Sequence, residues 1–314
     1  MVSIDVVIVN WNSGDGLRRC IESIVSSSGE NFVVERIVVV DNASTDSSLS
    51  GISGTGGFVE IVRNERNEGF ARACNAGARM GSAEYILFLN PDVVLSPDTL
   101  SSVAETLKRL DEDTAVLGIQ LVDESGAPAV TCAREPGVFH FINRALLLDR
   151  VFPGIFRSYH LTEFSLREDS YVEHVSGAFY MIRRAIFTDI GGFDERFFVY
   201  LEDLDLSIRV REAGYRIFFY SGAKAYHEGG GTSKGDISSR QFYAFSSRIL
   251  FAFKHFGRFY GSLILVTALT VEPCIRCLAG VFSLSWEKLL SNVKSYLRLW
   301  RDIGKIMEKA REGR

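Results

Sequence analysis

Cysteine and proline are both scarce in this 314-residue chain, with 5 of the first and 6 of the second. An odd cysteine count without regular spacing gives no disulfide framework, and a reduced compartment follows. Few prolines beside 28 glycines exclude a collagen-like repeat, and 46% hydrophobic residues exclude a disordered chain. A basic surplus is also missing. The net charge is −4, which argues against a general nucleic-acid binder. No basic leader precedes the strand-like run Ile4–Val9, so no signal peptide is expected. The pair Cys274 and Cys277 forms a CxxC without a second one to complete a zinc site, and reads as two buried thiols on a helix.

Several chemical signatures are absent too. There is no GxxxxGK[ST], no HExxH and no GxSxG. The run Gly54-Thr55-Gly56-Gly57 does not satisfy GxGxxG and precedes a strand, which excludes a dinucleotide-binding Rossmann enzyme.

What is present is an alternation of strands and helices. Apolar, β-branched runs at Ile4–Val9, Ile37–Val40, Val59–Val62 and Tyr85–Leu89 predict buried parallel strands. Helical spacing appears at about 15–28 and 69–81, with a weaker start at Asp46–Leu49 and a loop at 51–57. A further helix is expected over Pro97–Leu110, capped by Ser96, and a strand over Thr114–Leu121. Residues 133–170 are mixed and aromatic-rich, and resist assignment. This order implies an open α/β sheet, in which ligands bind beyond the carboxyl ends of the strands.

Those ends are polar. Strand one runs into Asn10-Trp11-Asn12, strand two into Asp41-Asn42-Ala43-Ser44, and strand four into Asn90-Pro91-Asp92. Trp11 offers a face for stacking a base, against simple packing as the alternative. Asp41 can accept hydrogen bonds from a base or ribose, or cap the next helix. Asp92 suits a hard cation, which typically takes one or two carboxylates plus substrate phosphates, although NPD is also a turn sequence.

The densest acidic cluster is Glu202-Asp203-Leu204-Asp205, after Gly191-Gly192-Phe193-Asp194-Glu195. It predicts the first turn of a helix that ends at Gly214. Three acids in four residues exceed what capping needs, so one can serve as a general base. Asp205 and Arg209 are spaced as an i,i+4 structural pair. His227 follows two strand-like runs, Arg216–Tyr220 and Lys224–Tyr226, precedes a Gly-rich segment, Gly229 to Ser233, and can bind metal or phosphate. His140, His160, His174 and His255 have no comparable context.

The C-terminus differs in charge. Residues 287–314 carry eight basic and four acidic side chains, against a net −8 for the rest. Apolar residues there recur with helical spacing, from Leu289 to Met307. The alternatives are a helix packed on its own domain and a basic amphipathic helix lying on an anionic membrane. Upstream, Phe259–Val271 is uncharged but spans only roughly 20 Å as a helix, short of the ~30 Å hydrocarbon core. No simple transmembrane span is expected; the alternatives are a monotopic or half-inserted helical hairpin and a core helix pair.

Taken in order, these motifs, with Asn67-Glu68-Gly69-Phe70-Ala71-Arg72-Ala73-Cys74-Asn75 between the second and third tips, resemble the inverting glycosyltransferases of family 2, and within them the rhamnosyltransferase-like branch. The resemblance covers about residues 3–260. It implies a GT-A fold: a Rossmann-like, mostly parallel central sheet flanked by helices, here with a C-terminal helical extension. The expected division is 1–240 for the transferase domain (nucleotide-sugar half about 1–125, acceptor half about 126–240) and 241–314 for the extension. By the same resemblance, Trp11, Asp41, Arg72 and Asn90 bind the donor. Asp92 and His227 hold Mg²⁺ or Mn²⁺, and Asp203 is the catalytic base, supported by Glu202 and Asp205. Asn90 stands where the family often has the first acid of Asp-x-Asp.

The implied reaction moves rhamnose from dTDP-rhamnose to a lipid-linked or growing polysaccharide acceptor. The implied location is the cytoplasm, with an inner-membrane surface contact if the C-terminus docks there. The same fold with a UDP- or GDP-sugar donor is the near alternative, and a catalytically inactive nucleotide-binding scaffold the distant one. A sugar-1-phosphate nucleotidyltransferase would carry a Gly-rich basic loop after strand one, where this chain has Asn10-Trp11-Asn12-Ser13. Gly177-Ala178 and the aromatic residues of 139–171 are expected to shape the acceptor pocket.

Overall fold

The computed structural model describes residues 1–50, 52, 58–161, 168–229 and 236–312. The predicted loop at 51–57, apart from Ile52, and the Gly-rich segment from 230 onward lie outside the described residues. The chain order opens with β1 (Val2–Asn10), α1 (Gly16–Val25), β2 (Phe32–Asp41), β3 (Val59–Arg63), α2 (Phe70–Ala78), β4 (Tyr85–Leu89) and β5 (Val93–Leu95). It continues with α3 (Thr99–Leu107), β6 (Thr114–Val122), β7 (Cys132–Ala133), α4 (Val138–Ala145), α5 (Leu148–Val151), β8 (Ser170–Val172), β9 (His174–Val175) and β10 (Phe179–Arg183). It closes with α6 (Arg184–Asp189), α7 (Glu202–Glu212), β11 (Arg216–His227), α8 (Ile237–His255), α9 (Gly257–Leu269), α10 (Val271–Phe282) and α11 (Trp286–Arg311).

Two compact units form. The first comprises 1–134, 160–194 and 202–232, and the second 135–159, 195–201 and 233–314. The second unit therefore draws in three segments, 135–159, 195–201 and 233–240, that a single cut at residue 240 assigns to the first.

The first unit is built on a sheet of order β3-β2-β1-β4-β10-β6-β11-β5, with β8 beside β11. Its first four strands are parallel. β1 and β4 are buried along nearly their whole length, in keeping with their apolar sequences, whereas β3, expected to be buried, is the half-exposed edge strand, with Ile61 37% accessible. β10 then enters antiparallel between β4 and β6, so the sheet as a whole is mixed. Alternation divides the core between the two faces: Ile4, Val6 and Ile8 join Leu17 and Ile21 on one, while Val7 and Val9 join Ala71, Cys74 and Phe88 on the other. Asp5 interrupts the apolar run. Its carboxylate is held by Arg184 Nη2 at 2.6 Å and by the Ala83 N–H at 2.9 Å.

Three local expectations change. Asp46–Leu49 forms bends and a turn, because Asp46 Oδ1 accepts the Ser48 N–H and competes with the helical bond. α3 starts at Thr99 with Asp98 at the capping position, since the Ser96 N–H donates to Thr99 Oγ1 and closes a turn first. β11 is one strand with a register shift between Tyr220 and Lys224, where two shorter ones were expected.

The second unit is helical. Asp236 caps α8 through the Ser239 N–H at 3.0 Å. Its core gathers Phe242, Phe245, Ile249, Tyr296, Leu299 and Ile306, with Phe245 stacked on Tyr296 at 4.7 Å. Glu272 is fully buried between Arg248 and Arg276, and these cations hold its carboxyl below the ordinary range against the opposing effect of burial. Cys274 is exposed and Cys277 half-buried, contrary to the reading of both as buried thiols: the positions that α10 buries are Glu272, Pro273 and Gly280. The 26 residues Gly257–Phe282 are long and apolar enough to cross a membrane by length and composition, which the 13-residue run did not suggest. A backbone break at Thr270 divides them into α9 and α10.

Candidate active site

The parallel register sets Asn10 beside Asp41 at the tips of β1 and β2. Asp41 is buried; its Oδ1 accepts from Asn10 Nδ2 at 2.8 Å and its Oδ2 from the Ser44 N–H at 3.2 Å. The two tips are laced further. The Asn12 N–H donates to Ser44 Oγ at 2.9 Å, and Asn12 Oδ1 accepts the Thr45 N–H at 2.7 Å. Asn12 and Ala43 both hold positive φ, 52° and 58°. Left-handed non-glycine residues carry strain that the surrounding bonds must offset, and they gather at functional sites. Trp11 stands 37% exposed on this tip.

α2 carries two of the singled-out residues in different ways. Arg72 is exposed and pairs with Glu68 at 3.1 Å. Asn75 is buried and fastens the Gly-rich loop: its Nδ2 donates to Phe193 O and its Oδ1 accepts the Phe193 N–H, both at 2.9 Å. The αL glycine beside it, Gly192, packs so closely that a Cβ would stand 2.6 Å from Asn75 Oδ1.

Beyond β4, Asn90 donates its N–H to Ala178 O at 3.0 Å and accepts the Val93 N–H at 3.1 Å. The short strand β5 then pairs antiparallel with the end of β11, Val93 opposite His227. This register brings Asp92 Oδ1 to 3.3 Å from His227 Nε2. Two ligands of one ion, each at roughly 2.1 Å, stand about 3.0–3.4 Å apart at octahedral or tetrahedral angles. The pair therefore fits a shared divalent ion. Among the described residues no cluster of three acid, His or Cys side chains forms a complete metal cage, which suits an ion whose other ligands are substrate phosphates and water.

At the start of α7, Asp203 is the accessible acid, its side chain 23% exposed. Its Oδ2 accepts the Gly177 N–H at 2.8 Å and its Oδ1 the Leu204 N–H at 2.8 Å. Glu202 is buried, with Oε2 lacking a hydrogen-bond partner. Burial, and then the neighbouring Asp203, push its carboxyl well above the ordinary range. Asp205 is fully buried and turns to Arg209 at 2.9 Å, and Arg209 in turn bonds Ile190 O and Gly192 O. Asp205 thus braces the loop before α7.

One residue set aside in the sequence joins this group. His174 Nε2 lies 3.8 Å from Asp203 Oδ2, and its Nδ1 is 2.9 Å from Ser207 Oγ, itself 3.1 Å from Tyr180 Oη. Burial pushes the imidazole pKa down while Asp203 pulls it up, with burial prevailing. A neutral ring serves the carboxylate best with its proton on Nε2. Nδ1 then accepts from Ser207, and Ser207 from Tyr180, so the donors run toward Asp203. No sequence pattern marks His174, because its partners come from α7 and β10. Gly177, taken as an acceptor-pocket residue, binds the acid directly.

The pattern of glycosyl transferase family 2 matches residues 5–191. The chain belongs to glycosyl transferase family 2. A second pattern, the N-terminal domain of galactosyltransferase, matches residues 157–228. The N-acetylglucosaminyl-diphospho-decaprenol L-rhamnosyltransferase of Mycobacterium tuberculosis is 25% identical over 87% of this chain and 94% of its own. Rhamnosyltransferase WbbL of Escherichia coli K12 is 25% identical over 71% and 82%. The fold resembles that of GalNAc-T7 solved with UDP, GalNAc and Mn²⁺, with TM-score 0.56 and 18% identity over 79% of this chain and 51% of that one. It also resembles mannosyltransferase PcManGT from Pyrobaculum calidifontis solved with GDP-Man and Mn²⁺, with TM-score 0.54 and 16% identity over 98% and 85%. This family 2 chain is a glycosyltransferase with the GT-A fold and a C-terminal helical region.

Proposed function

We propose that the enzyme transfers rhamnose from dTDP-rhamnose to a lipid-linked or growing polysaccharide acceptor, with inversion, at the cytoplasmic face of a membrane. The observation that carries the mechanism is Asp203: an accessible carboxylate fixed by the Gly177 N–H, beside a buried Glu202 whose carboxyl burial raises well above the ordinary range. A fixed, accessible carboxylate at this position is placed to act as the general base. Asp203 takes the acceptor hydroxyl proton as the acceptor oxygen bonds to the anomeric carbon, and the bond from that carbon to the diphosphate breaks in the same displacement. No covalent nucleophile is required.

Asp92 and His227 would hold Mg²⁺ or Mn²⁺, which supplies charge stabilisation for the departing diphosphate. Asp41 would read the base, Trp11 stack on it, and Arg72 and Asn90 line the donor path. Glu202 and Asp205 support Asp203 from the buried side. The rhamnose donor and the lipid-linked acceptor are supported by the names of the two rhamnosyltransferases, one of which aligns over nearly its full length.

The test pairs binding with turnover. dTDP-rhamnose, UDP-sugars and GDP-mannose are titrated with and without Mg²⁺, and Asp203→Asn is assayed beside wild type. The expected result is preferential dTDP-rhamnose binding, retained in Asp203→Asn while transfer is lost. Full transfer by that variant removes Asp203 as the base, and preference for UDP or GDP overturns the donor.

A further inference from the structure

The second unit ends in a helical hairpin that is poorly explained as a soluble surface. Asn292 Nδ2 donates to Arg276 O at 2.9 Å and Trp300 Nε1 to Leu269 O at 3.0 Å, so α10 and α11 run antiparallel. Their connecting tip exposes three large apolar side chains: Phe282, Leu284 and Trp286 are 84%, 91% and 77% accessible. Leu284 also holds φ 51°. Glycine or asparagine would adopt that conformation at lower cost. A leucine there sacrifices both conformational energy and solubility, and such a residue points to a use beyond folding.

α11 repeats the pattern along its length in three adjacent rows. Asn292, Tyr296, Leu299 and Ile306 face the core. One residue on, Val293, Leu297 and Trp300 form an exposed apolar row that Leu290 and Trp286 extend to the tip. One residue further, Lys294 and Arg301 begin an exposed basic row that Lys305 continues. An apolar row between a packed face and a basic row is the layout of a helix lying in a membrane interface, with its cations level with lipid phosphates. Two of the three tryptophans of the chain are on this surface, at the depth where indole is favoured.

We propose that the α10–α11 hairpin docks on anionic phospholipid, with the Phe282-Leu284-Trp286 tip and the α11 apolar row in the headgroup–acyl boundary. The hairpin lies on the bilayer instead of crossing it. The candidate span is broken at Thr270, and next to the break Glu272 is locked between Arg248 and Arg276, a buried charge cluster that lipid insertion would dismantle. This docking uses no step of sugar transfer, so it stands or falls separately from the proposed reaction.

The experiment is co-sedimentation of the full chain with vesicles of phosphatidylcholine and phosphatidylglycerol (3:1) and of phosphatidylcholine alone, with tryptophan emission recorded. Wild type should partition to the anionic vesicles with a blue shift, more weakly at high salt. Phe282→Ser with Leu284→Ser and Trp286→Ser should lower partitioning at least roughly tenfold while keeping the circular dichroism spectrum. The single variant Leu284→Gly separates docking from folding, because it should raise the melting temperature by relieving the positive φ and still weaken vesicle binding. Absence of wild-type partitioning, or equal partitioning by the tip variant, overturns the proposal. So does a concentration-dependent dimer that the tip variant abolishes without any vesicle binding, which would assign the face to a second copy of the chain.

Discussion

Gly177 and Asp203 are in contact through one bond and one missing atom. The Gly177 N–H donates to Asp203 Oδ2 at 2.8 Å, and a Cβ on Gly177 would stand 2.9 Å from that oxygen and 3.1 Å from Asp203 Cβ. Gly177→Ala should therefore move the carboxylate by a few tenths of an ångström or more. Misplacement of a reacting group costs up to roughly 100-fold in rate. The expected outcome is a 10- to 100-fold lower kcat with donor affinity unchanged, checked by steady-state kinetics beside calorimetric titration of the nucleotide-sugar. An unaltered kcat would show that the close approach is inconsequential.

His174 Nε2 faces Asp203 Oδ2 at 3.8 Å, and its removal tests whether the imidazole positions that carboxylate. His174→Phe fills the space but removes the Nε2 proton facing the carboxylate and leaves Ser207 without its acceptor. A kcat loss of roughly tenfold is expected, with KM for the donor unchanged and a displaced acidic limb in the pH–rate profile. A purely structural role would lower stability and leave that limb in place.

The buried pair around Asp203 titrates in opposite senses. Glu202 is raised in the fold, so its contribution to stability is complete below about pH 4.5 and is lost as pH rises toward its folded value. His174 is lowered, so its contribution is complete above about pH 6.5 and is lost as pH falls toward its folded value. Glu202→Gln removes the first dependence. Its melting temperature should exceed that of wild type at pH 8, by about 2–4 °C per kcal/mol recovered, and match it near pH 4.5. Thermal melts at the two pH values decide this.

Asp92→Ala and His227→Ala should each raise the Mn²⁺ concentration needed for half-maximal activity by at least roughly tenfold. Loss of either removes one of the two protein ligands that fit the ion. Metal titrations of activity after chelation are the measurement. Unchanged half-activation in both variants would move the ion elsewhere.

The sequence made the first half of the sheet readable because parallel strands buried on both faces are nearly pure apolar runs. The polar residues that follow them then stand out as strand tips. Asp41 and Asp92 were legible for that reason, whereas Asp203 stood out by the density of acids at a helix start; the structure brings Asp92 Oδ1 to 3.3 Å from His227 Nε2. Elements of two or three residues, such as β5, β8 and β9, were not, because they are too short to show a period. His174 was passed over because its meaning depends on α7 crossing β9, a contact that no local pattern encodes. Asp46–Leu49 misled because its serines and aspartate bond the backbone locally and mimic a helix start.

A hydrogen bond from the Asn90 N–H to Ala178 O joins the loop that carries Asp92 to the segment whose Gly177 holds Asp203. Because it runs between main-chain atoms, no side-chain substitution at the tips of β1 and β2 can break it directly. On the roles proposed above, substitutions at Trp11, Asp41 and their neighbours recode the donor while the spacing of Asp92 and Asp203 stays fixed, so donor identity and reaction geometry are separately tunable properties of one scaffold.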